Sequence, residues 1–323
     1  MDEHIVKRKI TTEDFTGLIK LFDIVWPDAE YNKKEKLNFV LRSNSGYNYC
    51  ATVQGKIVGS RMSIGENLYY STTKLKSIQV CDTCTHPEYR GKRILSSLNK
   101  KLIEDFFIQG DEVIFNIGEN SSRRVNEHYG WKYTQALHTL LSFPNPVSVF
   151  RALLKDRHAL RRRVQWIPQN SSFSIDSLLL DERNKVMQSI DRFYVNYDIP
   201  FYKWRITSNN GMSCFKHPDF GVIFYKYGLC GNLKYVTIGE MFLYKYDNKC
   251  FKHLLKVFKA FISPDILKIA ISIGHPLYKF YRKSGFIKYK VLNLGFRTND
   301  EKLSSYCSID SNWAISTLDF DTF

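Results

Sequence analysis

Apolar positions in this chain alternate between two spacings. Leu18, Leu21, Phe22 and Val25 recur at helical spacing in FTGLIKLFDIVW, behind the entry signature Thr11-Thr12-Glu13-Asp14 and ahead of the stop at Pro27. KKEKLNFVLR predicts a second helix. After Gly46 the period shortens: YCATVQGKIVGSRMSI reads as two strands joined at Gln54-Gly55, and KLKSIQVCDTCT as a third. Helical spacing returns at Ile94, Leu95 and Leu98 and runs to about Phe107, where Gly110-Asp111 breaks it. EVIFNI is a short apolar run of the kind buried in a sheet centre, SSRRVNEHYG a brief helix ended by Gly130, and WKYTQALHTLLSF a strand.

Pro144-Asn145-Pro146 punctuates the end of this unit. SVFRALLKDRHALRRRVQW follows, with Leu153, Leu154, Leu160 and Val164 on one face of a predicted helix and basic residues over the rest. Beyond it the outline repeats. RFYVNYDIPFYKWRI predicts a helix, VIFYKY, KYVTI and EMFLYKY predict strands, CFKHLLKVFKAFI an amphipathic helix, LKIAISI a buried strand, PLYKFYRKSGF a short helix and IKYKVLNLGF a long strand. FNIGENSSRRVNEHYGW and ISIGHPLYKFYRKSGF share one pattern: an apolar strand, a glycine, a polar helix, then glycine and an aromatic. A repeat this long implies duplicated domains, not a solenoid. The class is α/β, an α+β arrangement of mixed sheets flanked by helices, with a first module over residues 1–143, a basic linker helix over 144–170 and a second module over 171–323.

Composition narrows the partners. With 47 Lys and Arg against 32 Asp and Glu, the formal charge of +15 favours anions: coenzyme phosphates, nucleotide sugars, acidic glycans, nucleic acid or anionic lipid. No reading helix or RNP-type aromatic motif is recognisable, so a specific nucleic-acid function is not expected. The linker, with Arg151, Lys155, Arg157, Arg161, Arg162 and Arg163, is either a solvated helix or a ridge touching an anionic membrane or polyanion over 151–163. MDEHIVKRKI lacks an apolar leader core and no run approaches the roughly 18 apolar residues of a membrane span, which predicts a cytoplasmic protein. The seven dispersed cysteines predict reduced thiols, and the lone CDTC pair, with no second pair at finger spacing, predicts no metal site.

The chemistry concentrates in HPEYRGKRILSSL, His86 to Leu98. A glycine-containing turn between strand and helix points backbone N–H groups outward, and the helix N-terminus adds positive potential. Arg90, Lys92 and Arg93 add charge, so the stretch reads as a pyrophosphate cradle or as a plain basic loop. Neither G-x-G-x-x-G nor G-x-x-x-x-G-K-[ST] occurs, which removes the Rossmann and P-loop readings.

SIQVCDTCTHPEYRGKRIL together with ENSSRRVNEHYGW resembles the GNAT superfamily of acetyl-CoA-dependent N-acetyltransferases, whose [RQ]-x-x-G-x-[GA] turn wraps the CoA pyrophosphate. Here Arg93 stands at the central glycine position and Leu95 at the final small one. If Arg93 keeps ordinary helical dihedrals, its side chain leans away from the phosphates; if close backbone approach is required, it weakens binding. DTCTHPEYRGK, FYKWRI, FYRKSGF and STLDFDTF resemble elements of bacterial tandem-GNAT proteins associated with surface-polysaccharide synthesis. The second module has no counterpart of the RGK turn, so one acetyl-CoA site is expected.

The resemblance implies a cofactor set of Cys84, Thr85, Arg90, Gly91, Lys92, Arg93 and Ile94, with Asn120 and Ser121 either contacting pantetheine or capping a helix. A backbone N–H near Cys84 or Thr85 would polarise the thioester carbonyl. Asp82 is the first candidate for the carboxylate that takes the amine proton, beside a structural role at the strand end, and Glu119 is the second. His86 is expected to shape the turn. The helix position that often holds a tyrosine acid holds Asn126, with Tyr129 nearby. Trp204, Arg205 and Tyr281 are weak acceptor contacts, with core packing as the alternative. The implied reaction is acetyl transfer to an amino sugar in surface-glycan assembly. A degenerate binding module and a CoA-independent aminoacyl transferase are the competing readings.

Overall fold

A computed structural model of the chain describes residues 4–29, 32–43, 45–117, 122–167, 176–207 and 212–320. The elements begin β1 (Ile5–Lys9), α1 (Phe15–Val25), α2 (Lys33–Arg42), β2 (Tyr49–Val53), β3 (Lys56–Glu66), β4 (Leu68–Tyr70), β5 (Thr73–Lys74), β6 (Ser77–Thr85), α3 (Ile94–Ile108), β7 (Val113–Ile117), α4 (Arg123–His128) and β8 (Lys132–Ser142). They continue α5 (Pro146–Lys155), β9 (Val164–Trp166), α6 (Ser177–Gln188), β10 (Phe193–Val195), α7 (Ile199–Thr207), β11 (Met212–His217), β12 (Gly221–Cys230), β13 (Leu233–Leu243), α8 (Asn248–Ile262), β14 (Ile266–Ser272), α9 (Tyr278–Lys283), β15 (Ile287–Arg297) and α10 (Glu301–Cys307). Two compact units emerge: Met1–Leu68 with Lys74–Thr134 and Asn293–Ser308, and Tyr69–Thr73 with Gln135–Leu292 and Ile309–Phe323.

In the first unit β1, β2, β3 and β6 pair antiparallel, β7 lies parallel to β6, and Leu294–Arg297 of β15 pairs antiparallel with Ile117–Ile114 of β7. Ile94, Leu98, Leu102 and Phe106, one face of α3, pack on Tyr49, Ala51, Val58, Val80 and Ile114. Each such side chain contributes about 1.5–3 kcal/mol on burial. This fixes the start of α3 against the end of β6. In the second unit β11, β12 and β13 form an antiparallel meander, β14 lies parallel to β13, and β8 pairs antiparallel with β14. Phe251, Leu254, Leu255 and Phe258 of α8 close its core over Ile223, Val236, Ile238 and Ile269. The mixed α/β class with helices flanking each sheet is as the sequence implies.

Three elements depart from the expectation. The basic helix stops at Lys155, because extended Asp156 takes the His158 N–H and the Arg162 guanidinium, and Val164–Trp166 then joins β12 as β9. RFYVNYDIPFYKWRI splits into β10 and α7, since Pro200 is tolerated only in a first helical turn and Asp198 accepts the Phe201 N–H there. KYVTI and the first four residues of EMFLYKY belong to one strand, β13, interrupted by a register shift that leaves Gly239 without a partner opposite it.

Candidate active site

The site begins with an irregularity in β6. Ser60 faces Cys84 and Met62 faces Cys81, so Asp82 and Thr83 together oppose Arg61, a β-bulge in which Asp82 takes φ 39°. The parallel pairing of β6 with β7 covers only Ser77–Gln79 against Val113–Phe115, while β6 runs on to Thr85. Thr83, Cys84 and Thr85 therefore form one wall of a cleft of about 690 Å³. The turn residues Tyr89, Arg90, Gly91 and Arg93, the first turn of α3 from Ile94 to Ser96, and Val25, Ser122 and Val125 supply the rest.

The turn is shaped by local hydrogen bonds. His86 Nδ1 accepts the Glu88 N–H at 3.3 Å and its ring packs edge-on to Tyr89, which is the turn-forming role expected for it. Gly91 has φ 81°, a left-handed conformation that favours glycine. Arg93 is left-handed as well, at φ 56° and ψ 23°, so the central position does not keep ordinary helical dihedrals. The Arg93 side chain at the N-cap does not cap α3, and the first turn of α3 faces the cleft beside the Arg90 and Arg93 positions. A 15-residue helix opening in this way turns its first backbone N–H groups and the positive end of its dipole toward the cleft. Lys92 lies over the Tyr89 ring at 4.7 Å and is not among the residues lining the cleft.

Arg93→Gly should relieve about 1–2 kcal/mol of left-handed strain against about 0.5–1 kcal/mol of added backbone entropy loss. A net gain near 1 kcal/mol is expected, read as a higher urea midpoint at unchanged slope. An unchanged or lower midpoint would mean that the arginine side chain compensates its own strain.

Cys84 is buried, shares a contact of 3.3 Å with the Ser60 hydroxyl, and has its thiol pushed up to about 12 by burial, which removes it as a nucleophile. The Asp82 carboxylate lies 4.0 Å from the Lys36 ammonium and does not line the cleft itself. Behind the bulge sits a residue that the sequence reading passed over. Arg61, fully buried, donates to Thr83 Oγ1 at 3.1 Å, Asn99 Oδ1 at 2.7 Å and Asn126 Oδ1 at 3.3 Å, and burial lowers its pKa to about 10. Asn126 in turn donates to the Tyr133 hydroxyl at 3.1 Å. Asn126 is thus a structural member of a buried polar network. Tyr129 instead brings its hydroxyl within 2.9 Å of Ser96 on the cleft wall. The signal for Arg61 was available: a charged residue inside the apolar strand IVGSRMSI.

Glu119, Asn120 and Ser121 lie outside the described residues. Tyr281 is fully buried, edge-on to Phe251 and Phe286, so it is a packing residue and not an acceptor contact. Arg205 is fully buried over the half-buried Trp204 ring, which likewise removes it from any open acceptor surface. Among the described residues no group of three His, Cys, Asp or Glu side chains is placed to hold a metal ion.

The second unit has a comparable opening and uses it differently. β13 and β14 pair in parallel only over Tyr235–Thr237 and Ile266–Lys268. Beyond those pairs the segment Trp313–Asp319 enters: Ala270 N–H donates to Thr317 Oγ1, Ser272 N–H to the Ile315 carbonyl, and Ser316 Oγ to Glu240 Oε2, at 2.8, 2.9 and 2.9 Å. At the head of α8, Asp247 accepts the Cys250 N–H, placing a carboxylate where a phosphate would need positive potential.

These features agree with what the chain is similar to. Residues 7–134 match the family model described as Acetyltransferase (GNAT) domain. The sequence matches none of the curated proteins at a significant level. Among solved structures, a GCN5-related N-acetyltransferase from Anabaena variabilis superposes with a TM-score of 0.67 at 9% identity, covering 92% of this chain and 73% of that one. One from Kribbella flavida gives 0.60 at 10%, covering 92% and 71%. Saccharomyces cerevisiae N-myristoyltransferase with bound myristoyl-CoA gives 0.59 at 11%, covering 92% and 80%. At such identities the structural likeness speaks for the fold alone. The family match covers residues 7–134, less than half of the chain, and with the shared fold it supports an acyltransferase activity.

Proposed function

We propose that the chain is an acetyl-CoA-dependent N-acetyltransferase of tandem-module build, acting in the cytoplasm on the amino group of an activated or lipid-linked amino sugar in surface-glycan assembly. The observation that carries the reaction class is the cleft at the bulged end of β6, closed by the Arg90-to-Arg93 turn and the first turn of α3. The sugar acceptor rests on the resemblance of DTCTHPEYRGK and FYKWRI to surface-polysaccharide proteins. The coenzyme brings the activated acetyl group. Arg90, Gly91, Arg93 and the first turn of α3 hold its pyrophosphate, and backbone N–H groups near Cys84 and Thr85 polarise the acyl carbonyl. Asp82, kept beside Lys36, receives the amine proton through water. The Ser96–Tyr129 hydroxyl pair returns a proton to the leaving thiolate.

The test is release of free CoA thiol from acetyl-CoA in the presence of a panel of amino sugars. Turnover is expected, and Asp82→Asn should lower kcat about 100-fold with acetyl-CoA affinity unchanged. Acetyl-CoA binding without turnover on any amine would favour a degenerate binding module, the reading that Arg93 and Asn126 support. No binding at all would point to a CoA-independent transferase.

A further inference from the structure

α5 rests on the second unit by one face. Val149 is buried in a cluster with Leu141, Leu233 and Ile266, and Ala152 and Leu153 pack at its edge. The opposite face leaves Val147, Phe150 and Leu154 exposed at 56%, 62% and 72%. Positions i, i+3 and i+7 put the three on one stripe. Exposed Arg151 and Lys155 flank it, and the chain continues into exposed Arg157, Arg161, Arg162 and Arg163. Asp156 is the sole acid between Pro146 and Ile167, and Arg162 engages it at 2.9 Å. The cations are held on a folded support: the Cys230 thiol donates to the Ala159 carbonyl at 3.2 Å, and Val164–Trp166 is paired with β12.

We propose that this surface docks the protein peripherally on an anionic lipid bilayer, the three apolar side chains entering the headgroup region and the arginines and lysine meeting lipid phosphates. A large apolar stripe left in water marks an interaction surface, and a rim of one charge sign selects the partner's sign. A second copy of the chain would oppose like charges across an isologous contact. A nucleic acid would match the cations and could stack a base on Phe150, but it would leave Val147 and Leu154 without an apolar counterpart. Among the described residues no helix is long and apolar enough to cross a membrane, and α5, at ten residues, lies on a surface. The inference rests on the α5 face and is independent of the acetyl-transfer reading.

The full chain is sedimented with phosphatidylserine–phosphatidylcholine vesicles and, separately, with pure phosphatidylcholine vesicles. Binding is expected to the first and not to the second, and to fall with salt. Phe150→Ser with Leu154→Ser should weaken it about tenfold or more, as should Arg151→Gln, Lys155→Gln and Arg161→Gln together. Because all five side chains are exposed, an unchanged urea midpoint certifies that the variants fold. Absence of vesicle binding, or binding indifferent to Phe150 and Leu154, overturns the proposal. Tighter binding to single-stranded RNA that ignores the apolar substitutions would overturn it in favour of a nucleic acid. Dimerisation abolished by those substitutions would do so in favour of a second copy.

Discussion

Arg90→Ala combined with Gly91→Glu is expected to weaken acetyl-CoA binding on the order of 10³-fold while leaving the fold intact. A charge-assisted hydrogen bond to phosphate is worth about 1.5–3 kcal/mol, which the alanine forfeits. The glutamate adds a like charge in front of the helix N-terminus, at a cost of roughly 1–2 kcal/mol near a partly desolvated anion. It also forces a side chain onto a φ of 81°, although a Cβ there would meet nothing within 4 Å, so the effect falls on binding and not on packing. Isothermal calorimetry of both proteins decides it. The unaltered chain should saturate at one acetyl-CoA per chain, since Trp313–Asp319 fills the second opening and Asp247 caps α8. Equal affinity in the two proteins would show that the turn is a basic loop with no phosphate to hold.

The second large effect is on stability. Glu240, 1% exposed, accepts from Ser316 Oγ and from the Met241 N–H, with His275 Nε2 at 3.4 Å and a guanidinium nitrogen of Arg183 at 3.7 Å. Burial pushes its carboxyl upward, yet His275 and Arg183 together hold it below the usual range. Arg183 is fully buried and stacks at 4.4 Å on Tyr197, whose hydroxyl donates to Asp319 at 2.6 Å. Glu240→Leu removes the counter-charge nearest a fully buried guanidinium, which keeps its hydrogen bond to the Val195 carbonyl at 2.7 Å, and a loss of about 3–5 kcal/mol is expected in urea unfolding. Glu240→Leu paired with Arg183→Met should recover a large part of that loss, because the apolar pair carries no unpaired charge. A loss below about 1 kcal/mol in the single variant would show that Arg183 finds adequate partners without the carboxylate.

The elements around the cleft were legible because each carries a local signal. Alternating SIQVCDTCT gives β6, Gly91 marks the turn, and Ile94, Leu95 and Leu98 begin α3. Arg93 was legible as an oddity, but its left-handed backbone was not, since the sequence alone leaves its φ open. Arg61 was legible as a charge inside an apolar strand, but its partners were not, since Asn99 and Asn126 lie 38 and 65 residues away. The pairing of Leu294–Arg297 with β7 and the entry of Trp313–Asp319 beside β14 escaped for the same reason: long-range contacts leave no periodicity in the segments that make them. Tyr281 and Trp204 show the converse, since an aromatic at helical spacing looks identical whether it packs or binds.

The contribution of Leu294–Arg297 to the first unit and of Trp313–Asp319 to the second bears on how the chain is made. Domains ordinarily fold in turn as they leave the ribosome, the N-terminal one first. Here the first unit gains a strand beside β7 only when residue 297 is available, and the second gains its inner segment only when residue 319 is. A nascent chain that has completed β14 at Ser272 but not reached Leu294 carries an unfinished sheet in both units at once, so apolar surface stays open to chaperones late in synthesis.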